Sequence, residues 1–174
     1  MPKLIIFAVV SVAIVLLSWK SLRNLRSHGF FRFFAFECAL GLLLLNVGYW
    51  FREPFSIIHI ISWLLLLSSL AMVVNGFYLL RMEGRPKSGI ENTTMLVRRG
   101  IYKYIRHPLY SSLLLFGWGV FFKNPSLLSA SLVVVASAFL VATARVEEME
   151  NVRKFGDDYV AYIRETKMFI PFII

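Results

Sequence analysis

The sequence predicts an all-α integral membrane protein of five spanning helices, with a cytoplasmic C-terminal helical tail completing a pocket. Three observations predict it. The chain of 174 residues is 58% hydrophobic and only 17% charged, where a soluble domain carries about 25% charge. Its apolar residues gather into five charge-poor runs, 4–19, 33–51, 55–80, 109–122 and 125–144. Its basic residues, which give a net charge of +9, fill the gaps between those runs. An ordinary cytosolic globule and a disordered chain are both excluded. Basic residues placed this way suit anionic lipid headgroups and membrane orientation rather than nucleic acid.

The runs are taken in order. Run 4–19 is bracketed by Lys3 and Lys20, whose long side chains snorkel to the interface. Ser18-Trp19-Lys20-Ser21 lacks the small-x-small pattern of a signal-peptide cleavage site, so the run reads as a membrane helix. Run 33–51 fits the span of about 20 residues that a bilayer needs, and run 55–80 spans with tilt. Phe51-Arg52-Glu53-Pro54 leaves room only for a tight hairpin between them. Runs 109–122 and 125–144 are joined by Lys123-Asn124-Pro125, with Pro125 expected in the first turn of the last span. No repeat or domain-sized linker appears, so residues 1–174 read as one domain with a tail over 145–174.

Five spans put the termini on opposite sides. With the N-terminus outside, every Lys and Arg except Lys3, Arg52 and Lys123 is cytoplasmic, and so is the C-terminus. Within the spans, Glu37, Asn46, His59 and Asn75 are costly in lipid and are expected to join helices to one another. Glu37 is expected to reach the interface or to pair with Arg32. The one cysteine, Cys38, reads as a small buried hydrophobe, and His28, His59 and His107 lie on separate segments without metal-ligand spacing.

Two cytoplasmic segments carry the chemistry. The first leaves the third span through Gly84, Pro86 and Gly89, passes a sequon-like Asn92-Thr93-Thr94, and continues over 95–105 as an interfacial helix or an extended strip. It ends in Arg106-His107-Pro108-Leu109-Tyr110 at the mouth of the fourth span. A helix started by Pro108 offers its first N–H groups to an anion. Arg106 adds a fixed charge, His107 an imidazole and Tyr110 a ring with a hydroxyl. The alternative is a set of interfacial anchors.

In the second segment, Val146, Met149, Val152 or Arg153, and Phe155 make one helical stripe. Phe155-Gly156 breaks the helix, and Asp157 reads as the N-cap of another carrying Tyr159, Tyr162, Ile163 and Thr166 on one face. Glu147, Glu148 and Glu150 offer acceptors for an ammonium group or ribose hydroxyls, or else form a solvated face with a Glu150–Lys154 pair.

Leu96-Val97, Gly100-Ile101-Tyr102, Arg106-His107-Pro108, Tyr110, Glu147-Glu148, Phe155-Gly156, Tyr159, Tyr162 and Ile170-Pro171 come in that order and spacing. In this the chain resembles the isoprenylcysteine carboxyl methyltransferase family of integral membrane methyltransferases, relatives of the phospholipid methyltransferases. The resemblance covers the C-terminal part. It implies S-adenosylmethionine as methyl donor, an amphipathic small-molecule or lipidated acceptor, and membrane lipids as partners. It implies cofactor contacts from Leu96, Val97, Gly100, Tyr102, His107, Pro108, Tyr110, Glu147 and Glu148. Ser112 stands where the family often has glycine, and Arg145 is the local candidate for an arginine that commonly precedes the acidic pair.

If the acceptor is a carboxylate, including an isoprenylcysteine-type one, Arg106 or Arg145 would hold it. If it is an amine or thiol, His107 is the nearest base. A phospholipid, a small amine or a small thiol is the alternative acceptor. A non-enzymatic transporter or sensor subunit on the same scaffold is the alternative class. No metal and no nucleic-acid partner is expected.

Overall fold

The computed structural model describes residues 2–53, 55–85 and 93–171, so the expectations placed on Pro54, Pro86, Gly89 and Asn92 lie outside it. Among the described residues six α-helices form: α1 Pro2–Leu22, α2 His28–Asn46, α3 Ile57–Glu83, α4 Pro108–Phe121, α5 Leu127–Phe155 and α6 Asp157–Glu165. Short 3₁₀ turns occupy Val47–Tyr49 and Gly100–Lys103. Among the described residues there is no strand, only one parallel bridge between Ile105 and Lys167.

Helices α1, α2, α3 and α5 are long and apolar enough to cross a membrane, α2 together with its 3₁₀ turn. The fourth apolar run folds as α4, only 14 residues long. At about 1.5 Å per residue it reaches roughly 21 Å, short of a hydrocarbon core of about 30 Å. Pro108 sets its start, and i→i+3 bonds from Lys123 to Val120 and from Asn124 to Phe121 wind up its end. The next helix does not begin with Pro125. Ser126 precedes α5 and caps it, accepting the Ser129 N–H at 3.2 Å through its hydroxyl. A hydroxyl can satisfy an orphan N–H there, which a proline ring cannot.

The chain divides into two compact units, one of Met1–Leu66 with Leu114–Glu147, the other of Leu67–Leu113 with Glu148–Ile174. The first has Leu42, Val120 and Val133 at its centre, packed by Trp50, Leu66, Phe116, Phe121 and Leu132. Polar side chains lace it together, as the cost of an unpaired polar group in hydrocarbon requires. Buried Asn46 of α2 donates to Ser129 of α5 at 3.1 Å, and Ser62 of α3 donates to the Gly119 carbonyl of α4 at 2.6 Å. A methyl group on Gly119 would lie 2.9 Å from Leu66, so α3 and α4 approach as closely as glycine permits. Glu37 accepts a 2.6 Å bond from Ser11 of α1, the helix-to-helix contact expected of it. His59 joins two turns, its ring nitrogens meeting the carbonyls of Glu53 and Lys123 at 2.9 and 3.0 Å.

The second unit holds the C-terminal part of α3, the segment 93–105, the start of α4, the end of α5 and α6. Ser69 donates to the Ser112 carbonyl at 2.7 Å. Gly76 lies flat against Pro108 and Leu109, where a methyl group would sit 3.2–3.4 Å from their side chains. Asn75 departs from expectation: it is exposed and donates to Ala71 in its own helix rather than to a neighbour.

Candidate active site

The site is built where the second unit collects four pieces of chain. Helix α5 runs without glycine or proline past the end of its apolar run and carries Glu148 on the same rod. It stops at Gly156, which takes φ +61°. Gly156 itself occupies the N-cap position of α6, so Asp157 is the first helical residue and not the cap. Left-handed backbone at this point favours glycine over aspartate. The covered face of α5 near its end also differs from the expected stripe, because Met149 is 55% exposed while Glu148, Val152 and Phe155 are partly covered. The expected α6 stripe forms, with Tyr159, Tyr162 and Thr166 buried.

Segment 95–105 is neither an interfacial helix nor a simple strip. It runs irregularly to Arg99 and then makes the 3₁₀ turn Gly100–Lys103. Gly100 takes φ +56°, and a methyl group there would meet Leu79 of α3 at 2.6 Å. Gly100→Ala therefore combines a left-handed backbone with a clash, and an expected loss of about 2–3 kcal/mol should lower the thermal midpoint in detergent. The turn brings buried Tyr102 inward, its hydroxyl donating to the Gly76 carbonyl at 3.3 Å. Tyr162 of α6 donates to the Tyr102 carbonyl at 2.6 Å. Burial pushes the Tyr162 phenol well above its ordinary pKa, and Tyr159 adds to this against the opposing charges of Arg106 and Arg98. It stays a neutral donor.

The tail after α6 pairs with the chain entering α4. Arg106 N–H donates to the Lys167 carbonyl at 2.8 Å, His107 N–H to Met168 at 3.2 Å, and Lys167 N–H to Tyr104 at 3.0 Å. Ser111 donates through its hydroxyl to the Phe169 carbonyl at 2.8 Å. His107 is thereby held between two rings, Tyr110 at 5.5 Å and nearly parallel, and Phe169 at 6.2 Å.

Arg106 and Glu148 form the charged centre. Arg106 Nε donates to Glu148 Oε1 at 2.5 Å, with side chains only 8% and 14% exposed. Arg106 Nη1 donates to the Ile163 and Thr166 carbonyls, so the guanidinium also satisfies the C-terminal end of α6. His107 Nε2 lies 3.3 Å from the same Oε1. Burial works to raise the Glu148 pKa. The hydrogen bonds and charges of His107 and Arg106 together outweigh it and hold the carboxyl below its ordinary value. With Glu148 ionised, Nε2 carries the proton of that contact.

The expected site residues separate accordingly. Val97, Tyr102, His107, Pro108 and Tyr110 are buried in the second unit with Glu148, Leu96 is half-buried there, and Gly100 is exposed. Glu147 and Arg145 fall in the first unit, Glu147 half-buried and Arg145 exposed. Ser112 turns its hydroxyl onto the Leu109 carbonyl at 2.7 Å and faces α3 through its own carbonyl. Thr166, Ser111 and Phe169 were not singled out as site residues. Only Thr166 left a signal, its place on the α6 stripe.

A sequence profile of the phospholipid methyltransferase family matches residues 57–158, more than half of the chain. The chain belongs to that family. The match takes in Arg106, His107, Tyr110 and Glu148 and ends within the first turn of α6. A methanethiol S-methyltransferase of Crocosphaera subtropica is 37% identical over 75 residues, 41% of this chain and 28% of that protein. The chain thus matches less than a third of the length of this relative. No solved structure matches it.

Proposed function

We propose that this chain, acting as one domain that crosses the bilayer five times, moves the methyl group of S-adenosylmethionine to an amphipathic, lipid-like acceptor at the cytoplasmic face. The short α4 is the fifth crossing in this reading, aided by local thinning of the bilayer. The observation that carries the cofactor is Glu148. Both of its donors, Arg106 and His107, bind Oε1, so Oε2 is the atom left to take an ammonium group or a ribose hydroxyl.

The remaining groups fit the same molecule. The N-terminus of α4 suits its carboxylate. The rings of Tyr110 and His107, beside Pro108, suit the sulfonium neighbourhood. Leu96, Val97, Gly100 and Tyr102 would shape the covering loop. S-adenosylmethionine brings an already activated methyl group. The chain has to align a nucleophile with it and exclude water, and the burial of His107 and Tyr110 supports that task.

Among acceptors, the relative named for methanethiol supports a thiol beside the carboxylate and amine alternatives. The carboxylate alternative has less behind it than the sequence alone suggested, because Arg106 is engaged by Glu148 and α6. The test is incubation of the detergent-purified chain with methyl-labelled S-adenosylmethionine and membrane lipid extract. Labelled product, identified by mass spectrometry, is expected. A protein that neither binds the donor nor labels any acceptor would be the non-enzymatic subunit instead.

A further inference from the structure

We infer that His59 is a proton-operated clamp: its imidazolium ties the turn at Glu53 to the turn at Lys123, and loss of one ring proton releases one of them. Nδ1 lies 2.9 Å from the Glu53 carbonyl oxygen, and Nε2 lies 3.0 Å from that of Lys123. A carbonyl only accepts, and a neutral imidazole carries a single N–H. Only the doubly protonated ring therefore bonds both oxygens. In either neutral tautomer one nitrogen turns a lone pair on an oxygen at hydrogen-bond distance, and the two repel. His59 is 8% exposed, so bulk solvent has little room to replace the lost bond.

The turn on one side is strained. Glu53 takes φ +41°, a left-handed backbone that residues with a Cβ seldom adopt. Its carbonyl accepts the Ser56 N–H at 3.0 Å as well as facing the His59 ring. The backbone N–H of His59 meets the Ser56 hydroxyl at 3.3 Å, so the first turn of α3 is seated in the same structure. Strained backbone held by a contact that one proton controls supplies the two-state element of a pH switch.

The other side is anchored at Lys123, which is 2% exposed. Its backbone N–H donates to Val120 at 3.1 Å while its carbonyl faces His59. Its Nζ lies 3.8 Å from the centre of the Trp63 ring and has no hydrogen-bond partner among the described residues. The charged groups around the clamp are this ammonium from the α4–α5 turn and, from the α2–α3 turn, the exposed Glu53 carboxylate and Arg52 guanidinium. Arg52 lies over the Tyr49 ring. The clamp therefore answers to pH on the side of the membrane that these turns face.

The test uses the detergent-purified full chain with ¹⁵N-labelled histidine, titrated from about pH 5 to about pH 8, where imidazole commonly changes charge. The His59 ring signals are assigned by their loss in His59→Gln. Hydrogen exchange, corrected for its intrinsic pH dependence, is read in parallel at the amides of Arg52, Ser56, Lys123 and Asn124, each bonded within its own turn. At the acid end the His59 ring should carry two N–H protons. As it loses one, exchange in at least one of the two turns should rise by about 10-fold, the equivalent of one charge-assisted hydrogen bond. His59→Gln offers a donor to one carbonyl but does not titrate, so its exchange should show no such step. A His59 ring that keeps one protonation form throughout overturns the inference, as does turn exchange that ignores its titration. An equal step in His59→Gln overturns it too. Should that variant fail to fold, the wild-type coincidence of ring titration and turn exchange, with ring signals assigned through His28→Gln and His107→Gln, decides the matter.

Discussion

Arg106→Met is expected to release the C-terminal tail and to cost about 3–5 kcal/mol, the usual range for removing one partner of a buried ion pair. The size follows from how much one guanidinium holds. It binds Glu148 of α5 and the Ile163 and Thr166 carbonyls at the end of α6. Without it, Glu148 keeps a carboxylate at 14% exposure with only His107 beside it, and the last carbonyls of α6 lose their donor. Thermal melting in detergent, with hydrogen exchange read over 156–169, measures both effects. Arg106→Lys should restore less than half of the loss, since one ammonium cannot reach both sets of acceptors in a fork. An Arg106→Met protein that melts with the wild type and protects its tail equally would show that the guanidinium is a bystander.

Glu148→Gln is expected to weaken S-adenosylmethionine binding by about 10- to 100-fold, or roughly 1.4–2.8 kcal/mol, while the chain still folds. The amide can accept from Arg106 in place of Oε1, but it brings no charge to an ammonium group. The variant should also change the acid limit. Because the folded-state pKa of Glu148 lies below its ordinary value, its contribution to stability is complete above that ordinary value, near 4.3. It is lost as pH falls through the lower folded value. Wild-type tail protection should therefore be flat from neutrality down to about pH 5 and decline below about pH 4, and Glu148→Gln should remove that part of the decline.

Much of the architecture was legible because its causes are local. Apolar length gave α1, α2, α3 and α5, and the break at Phe155-Gly156 gave the end of α5. The same holds for Pro108 at the start of α4. The pattern of i, i+3, i+4 and i+7 gave the buried face of α6, where Tyr159, Tyr162 and Thr166 lie. Caps were read less well: a residue one position away competes for each, and left-handed backbone decided for Gly156 over Asp157.

What the sequence left hidden depends on distant pairing. That Arg106 serves α6 requires knowing that 104–107 pairs with 167–168, and no periodicity announces a bridge across sixty residues. The same pairing puts Phe169 against His107. Glu37 meets Ser11 of α1, a partner on another helix that no local spacing names.

Equilibrium dialysis of labelled S-adenosylmethionine tests the central claim most directly, with wild type, Glu148→Gln and Met149→Ala compared at one detergent concentration. Met149 is the neighbouring exposed side chain, and its loss should leave the isotherm unchanged. Saturable binding by wild type and Met149→Ala, weakened at least about 10-fold in Glu148→Gln, is the predicted result. Three superimposable isotherms would contradict it.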